Sequence, residues 1–270
     1  MVDKNKFKAN PYNLSNKLIQ KNDIDDIMNT LNITDFVPND IKLYQKAFVH
    51  KSYSHMKDYE EYENDIDALP LQTNTYEKIE FLGDSILGFI VCEYIFQRYT
   101  MIYDKDEGFL TKLKNRLVCG DMLCILAKDL SFNKYLIISK HIEENCDGRN
   151  NKNILEDSFE AFIGALYLDT NDIYFVKDFL IKVYEKYVDF SEIILNDTNY
   201  KDQLQRYLQN RFKTYPKYVI DEKNNSKYEC KVMINEKGIS VGIGIGIGET
   251  KKKAEQNASK NALIQYGVLN

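Results

Sequence analysis

Two pairs of carboxylates stand at helical spacing inside apolar sequence. Glu80 and Asp84 are four residues apart in Glu80-Phe81-Leu82-Gly83-Asp84-Ser85. Asp157 and Glu160 are three apart in Ile154-Leu155-Glu156-Asp157-Ser158-Phe159-Glu160-Ala161-Phe162-Ile163-Gly164-Ala165. Such spacings put both acids of a pair on one side of a helix. Unpaired carboxylates are costly to bury, so four acids among Phe, Leu, Ile and Gly ask for a cation. Hard oxygen ligands with room for retained water suit magnesium. Two such ions beside a phosphodiester would activate a water and stabilise the leaving oxygen. The competing reading is two solvated surface pairs, and either pair alone favours it. Against it, Glu80 and Asp84 fall on a stripe with Leu87 and Val91. Gly83 on one segment, and Gly164 and Ala165 on the other, leave room for two acid-bearing helices to cross closely and bring the four acids together.

Those helices are expected over 75–99, with Thr75 as N-cap, and over 152–168. Apolar stripes predict further helices around them: one from Asp23, with Ile24, Ile27, Met28 and Leu31, and one carrying Ile41, Leu43, Ala47 and Phe48. Others are expected at 107–119, 120–130 and 171–187. Residues 1–22 are polar without a sustained period and read as a loose arm. The acidic segment 57–74, with Pro70, reads as a surface loop, and 139–150 as a loop ending in the turn signal Asp147-Gly148-Arg149-Asn150. Almost everything up to 190 is therefore expected to be α-helical.

The pattern changes after Leu195. A short polar linker, 196–199, leads to a helix over 200–212 with Leu204, Tyr207 and Leu208 on one face. Period-two stretches follow, through Tyr218 and Ile220, then Tyr228, Cys230, Val232 and Ile234. In Val241-Gly242-Ile243-Gly244-Ile245-Gly246-Ile247-Gly248, one strand face is apolar and the other is bare backbone, which invites close approach by something else. A last helix is expected at 250–266. The order α-β-β-β-α within about 70 residues is that of a compact α+β domain.

The chain has 270 residues, 44% of them hydrophobic, enough for one large domain or two smaller ones. No apolar run is long enough to span a membrane, and the N-terminus leads into no signal-like apolar region. Five scattered cysteines and three histidines suit neither a disulfide framework nor a zinc site, so reduced thiols in a cytoplasmic setting are expected. The net charge of −5 is unevenly divided: residues 199–270 carry 13 Lys and Arg against 7 Asp and Glu, or +6, leaving −11 for the rest. An acidic body suits metal binding and a basic tail suits a polyanion. Chance fluctuation between two soluble domains is the blander reading.

The last helix opens with Thr250-Lys251-Lys252-Lys253-Ala254. A helix N-terminus offers free N–H groups and the positive end of a dipole. Lysines there oppose the dipole, so a solvated helix start explains them poorly. A phosphate clamp across a duplex groove explains them better.

Beyond the physics, Tyr76-Glu77-Lys78-Ile79-Glu80-Phe81-Leu82-Gly83-Asp84-Ser85-Ile86-Leu87 closely resembles the signature motif of ribonuclease III. Gln45 to Tyr53 resembles that family's Ala-Leu-Thr-His-Arg-Ser-Tyr segment, Glu107 to Val118 its Glu-Gly-x-Leu-Thr helix, and Ile154 to Asp169 its second acidic motif. The resemblance implies that Glu80, Asp84, Asp157 and Glu160 are the catalytic and metal-binding acids. It also implies that Glu77 lies near the RNA path and that Phe81 is an aromatic knob inserted into a dimer partner, although Phe81 would serve equally as an ordinary core residue. His50 either approaches RNA or hydrogen-bonds within the core. Glu156 stands where the family usually has a small residue and is free to face solvent. The C-terminal segment resembles a double-stranded RNA-binding domain, in which Gln205, Thr250, Lys251, Lys252 and Lys253 would contact RNA. Arg206 replaces an acid often seen there, and the loop Glu222 to Lys227 lacks the family's Gly-Pro-x-His, which implies weaker or less register-specific duplex binding.

The expected architecture is thus α+β: an all-α ribonuclease III endonuclease domain over 23–195, then a small α-β-β-β-α double-stranded RNA-binding domain over 200–270. The expected activity is endonucleolytic cleavage of double-stranded RNA by a homodimer using Mg2+, with Mn2+ able to substitute, leaving 5′-phosphate and 3′-hydroxyl ends. A catalytically silent RNA binder of the same fold, or a structural protein whose acids form surface pairs, is the alternative.

Overall fold

Helices build the first of the two units into which the chain divides, Met1–Phe190 and Ser191–Asn270. The structure, a computed structural model, describes residues 10–55, 59, 62–63, 65–195, 199–223, 227–236 and 239–269. The first unit contains α1 (Lys21–Thr30), α2 (Ile41–Ala47), α3 (Glu77–Ile95), α4 (Met101–Tyr103), α5 (Glu107–Leu117), α6 (Gly120–Asp129), α7 (Lys140–Cys146), α8 (Lys152–Thr170) and α9 (Ile173–Tyr187). α10 (Phe190–Leu195) begins at the boundary between the units.

α8 is the central helix. Asn151 starts it by accepting the Asn153 and Ile154 N–H groups at 3.1 and 3.4 Å. Every residue from Ile154 to Leu166 except Glu156 and Asp157 is buried, as expected of a helix covered on all sides. It packs on α2, α3, α6 and α9. Phe162 lies at the middle of an aromatic cluster, with ring centroids 4.8 Å from Phe132, 5.5 Å from Tyr44 and 5.6 Å from Phe179.

α3 and α8 cross backbone to backbone. A Cβ on Gly83 would lie 1.8 Å from the Glu160 carbonyl oxygen, and one on Gly164 would lie 2.3 Å from that of Ile79. These two glycines let the helices approach where the acids stand, as the small residues beside the acids suggest.

Several expectations are corrected. α3 is preceded by Tyr76, not Thr75, and ends at Ile95, where a wider π turn over Phe96–Thr100 takes over. The α2 stripe buries Tyr44, while Leu43 is only half-buried. The segment 139–150 holds a short helix, α7: Ser139 Oγ accepts the Ile142 N–H at 3.4 Å, and Asp147 ends the helix at φ 47. The Asp147-Gly148 signal marks that stop. Residues 10–20 are no loose arm, because buried Asn13 and Asn16 both donate to the Ile138 carbonyl, at 3.1 and 3.0 Å. Asn16 also accepts from Arg149 Nη2 at 3.2 Å. A polar segment without period is held here by specific amides, a pattern that hydrophobic periodicity cannot report. Residues 1–9 and 56 lie outside the described residues, as do 57–58, 60–61 and 64 of the acidic loop. The far side of that loop docks, with Tyr53 donating to the Leu69 carbonyl at 2.7 Å.

The second unit is α11 (Tyr200–Phe212), β1 (Lys217–Lys223), β2 (Lys227–Glu236), β3 (Ile239–Gly248) and α12 (Lys251–Gln265). The sheet is antiparallel in the order β1-β2-β3. Leu204 and Leu208 of α11 share a core with Cys230, Val232, Ile243, Ala258 and Leu263. Gly244, Gly246 and Gly248 turn their bare face to α12, where a Cβ would meet α12 backbone at 2.4, 2.1 and 2.5 Å. The close approach that the Ile–Gly alternation invites is thus made by α12. Ile245 and Ile247 are left on the outer face, about half exposed. Along the free edge of β3, Asn257 donates to the Ile247 carbonyl at 2.8 Å and Asn261 to that of Ile245 at 2.7 Å. The expected linker falls largely on 196–198, outside the described residues.

Candidate metal centre

The close crossing of α3 and α8 brings one oxygen each from Glu80, Asp157 and Glu160 within 4.8 Å of one another. Glu160 is buried; Glu80 and Asp157 are half-buried. Three carboxylates at this separation repel one another, and burial removes the water that would screen them. The Glu160 carboxyl is accordingly pushed up to about 8, first by burial and then by Asp84, Glu156, Glu80 and Asp157. Burial also raises Glu80 and Asp157. For Asp157, a Tyr76 hydrogen bond and the Lys51 charge pull the other way.

Three buried or half-buried oxygens held in mutual repulsion suit a small hard cation. No His or Cys belongs to the set, which argues against a soft-metal site. Asp84 departs from expectation. It is exposed and stands outside the group of three, yet its charge still reaches Glu160, Glu80 and Glu156. On α3 it is Gly83, one step away, that faces α8.

Glu156 does not simply face solvent. It is half-buried, and its carboxylate fills the space left by Gly120 at the start of α6, where a Cβ would lie 2.1 Å from Glu156 Oε2. Burial and Asp157 raise its pKa. Beside it, Lys152 pairs with Asp121 at 2.8 Å. Gly120, in sequence an unremarked helix start, makes the larger side chain at 156 tolerable.

His50 takes the structural role. Its Nδ1 lies 2.8 Å from Ser52 Oγ and accepts the Ser52 N–H at 3.2 Å. Burial, then Lys51, pushes its pKa down to about 4, so the imidazole is neutral near pH 7. Glu77 is exposed and pairs with Lys51 at 3.7 Å. Phe81 is 77% exposed, which removes the core-residue alternative, and Phe89 on the same helix is 60% exposed. Sequence reading missed Phe89. It also assigned no role to Tyr76, whose hydroxyl donates to Asp157 Oδ2 at 2.9 Å.

In the second unit, Thr250 Oγ1 accepts the Lys253 N–H at 3.1 Å and caps α12. Lys251, Lys252 and Lys253 are exposed around that N-terminus, and Gln205 is exposed on α11. Arg206 is held by Asp202 of its own helix at 3.1 Å. Residues 224–226 of the departing loop lie outside the described residues.

The acid cluster sets a pH dependence. An unfolded glutamate releases its proton near 4.5, whereas folded Glu160 retains it up to about 8. Between these values the folded state holds more protons, so this group's stabilisation is complete at low pH and is lost as pH rises through the folded pKa. The melting temperature of the protein in a chelator is therefore expected to fall between about pH 5 and about pH 8.5. Glu160→Gln should flatten that fall, and a divalent cation should oppose it. A melting curve equally steep for Glu160→Gln would contradict the assignment.

Comparison with known proteins follows the same division. A Ribonuclease-III-like family model matches residues 40–183, and a double-stranded RNA binding motif matches 200–266. A probable ribonuclease 3 from Acanthamoeba polyphaga mimivirus is 36% identical over 272 residues, 97% of this chain; the chain spans about half (48%) of that relative's length. The ribonuclease 3 of Oceanobacillus iheyensis is 38% identical over 83% of this chain and 92% of its own. That of Borreliella afzelii is 32% identical over 83% of this chain and 85% of its own.

Proposed function

The chain belongs to the ribonuclease III family, as an endoribonuclease with a nuclease unit followed by a double-stranded RNA-binding unit, and on that premise we propose that Glu80, Asp157 and Glu160, with Asp84 at their rim, are where it hydrolyses double-stranded RNA. The meeting of three acid oxygens within 4.8 Å carries this reading. All four acids expected from the motifs are present, which disfavours a catalytically silent binder.

We assign the cation as Mg2+, with Mn2+ able to substitute, because the donors are all carboxylate oxygens. When bound, such an ion lowers the pKa of a water and stabilises the departing oxygen. The chain's own groups do the rest. Glu160, buried, contributes a carboxylate that water cannot screen. Asp157 is oriented by Tyr76. Glu80 brings its oxygen from the opposite helix. The attack is in line by water, with no covalent enzyme intermediate, and yields 5′-phosphate and 3′-hydroxyl ends with a short 3′ overhang. One acid cluster per chain cuts one strand, so cleavage of both calls for a homodimer, and exposed Phe81 is its proposed contact. Lys251, Lys252 and Lys253 hold the duplex by charge and shape.

Mapping the product ends of long duplex RNA incubated with the purified protein and Mg2+ tests this directly. Cleavage in a chelator, or cyclic phosphate ends, would refute the metal mechanism; binding without cleavage would restore the silent-binder reading. Lys252→Ala is expected to weaken binding to all duplexes alike and to lower the salt dependence of log affinity by about 1. A loss confined to some sequences would contradict a phosphate contact.

A further inference from the structure

We propose that Tyr76 is a positioning residue of the acid centre, holding Asp157 in place for the cation and tying it to the start of the helix that carries Glu80. This rests on the metal-centre reading above and deepens it.

Tyr76 is 2% exposed, and its hydroxyl donates to Asp157 Oδ2 at 2.9 Å. A half-buried carboxylate with an open side has more than one rotamer available unless a partner fixes it, and one oxygen held by a donor leaves the other for a cation. Groups that orient metal ligands in this way typically change metal affinity about 10- to 100-fold when removed. The phenol suits the task because a neutral donor stabilises the carboxylate without competing as a counter-ion. Burial and then Asp157 raise the Tyr76 pKa, so the proton stays on the phenol.

The backbone of Tyr76 acts on the other helix. Its carbonyl accepts the Glu80 N–H at 2.9 Å and the Ile79 N–H at 2.8 Å, closing the first turn of α3. Its own N–H donates to the Val49 carbonyl at 2.9 Å, and its ring lies 5.9 Å from that of His50. Residues 48–50 are in turn bridged to Ile137 by the His50 N–H at 3.0 Å and the Ile137 N–H at 2.9 Å. One side chain, fixed from behind, thus sets the distance between an acid on α8 and the first turn of α3. Tyr76 has no side-chain capping bond to α3; its hydroxyl is turned to Asp157 instead.

Tyr76→Phe removes only the hydroxyl and keeps the ring. In the full chain without RNA, calorimetric titration with Mn2+ is expected to show affinity about tenfold weaker than wild type. The Mg2+ concentration for half-maximal cleavage should rise in step, and saturating Mg2+ should recover most of the maximal rate. Duplex binding in a chelator should not change. Unaltered Mn2+ affinity in a folded Tyr76→Phe protein would overturn the proposal. Asp157→Ala separates the two layers: if it too binds Mn2+ like wild type, the metal-centre reading fails, whereas its loss alone sinks only the role of Tyr76. The metal-free melting temperature reads packing damage, and a lowered melting point with unaltered Mn2+ affinity also counts against the proposal. If Tyr76→Phe does not fold, Val49→Ala, which keeps the hydroxyl and the Val49 carbonyl while loosening the cluster with Tyr53, Leu71 and Ile137 that seats the segment holding the Tyr76 N–H, should weaken Mn2+ binding more than an equally destabilising core change such as Leu263→Ala in the other unit; equal affinities would overturn it.

Discussion

Glu160→Ala should reduce cleavage of double-stranded RNA by at least about a thousandfold, about 4 kcal/mol of transition-state stabilisation, and leave duplex binding in a chelator nearly unchanged. Of the three clustered acids, Glu160 is the one that is buried, and burial and then its acidic neighbours oppose its anion. Its removal takes away one of the three oxygens that meet within 4.8 Å. The two readouts are separable because the lysines proposed to contact RNA belong to the other unit. Single-turnover cleavage with excess protein measures the first, and a filter or shift assay in chelator measures the second. Cleavage persisting near the wild-type rate would refute the site.

The second large effect is on the fold. Gly83→Ala places a methyl 1.8 Å from the Glu160 carbonyl and 2.9 Å from the Gly164 nitrogen. Both obstacles are backbone, so no rotamer relieves the clash and the helices must separate. Overpacking of this kind costs about 3 kcal/mol or more, and the separation also moves Glu80 from Glu160, so stability and Mg2+ affinity should fall together. Gly88→Ala on the same helix is the internal control, with nothing within 4 Å of its added methyl. There the better helix propensity should leave stability unchanged or raise it by about 0.5–1 kcal/mol. Urea denaturation of the two variants decides the matter, and equal midpoints would dismiss the crossing as the reason for Gly83.

Much of this centre can be read from residue order, for a physical reason. Acids at helical spacing beside Gly83 and Gly164 state both the carboxylates and the clearance that lets them meet. What spacing cannot state is rotation about the helix axis at single-residue accuracy. Asp84 was grouped with Leu87 and Val91, yet it is exposed while those two are buried. Glu156 looked like a free surface acid because its partner in space, Gly120, is far away in sequence. Tyr76 looked like the first letter of a motif, because only a long-range hydrogen bond shows its use. The docked segment 10–20 was missed for a similar reason: Asn13 and Asn16 satisfy a carbonyl more than a hundred residues away, and polar composition alone resembles that of a loose tail. In the second unit the Ile–Gly strand was read correctly as awaiting a close neighbour. The bare face is the one that invites that neighbour, a reversal of the usual apolar pattern; what spacing leaves unstated is that the neighbour is α12.

That reversal leaves β3 with Ile245 and Ile247 outward, no charge between Val241 and Gly248, and, among the described residues, one edge without a strand partner. An uncharged, aliphatic edge is what another chain would use as a template to add a strand of its own. The two asparagine amides from α12 occupy the Ile245 and Ile247 carbonyls that such a strand would need. Colloidal protection of the basic unit thus comes from a helix that also presents the lysines. The same fifteen residues that offer charge to a polyanion at one end deny a hydrogen-bonding rail to stray polypeptide along their length, so partial melting of this helix would release both restraints at once.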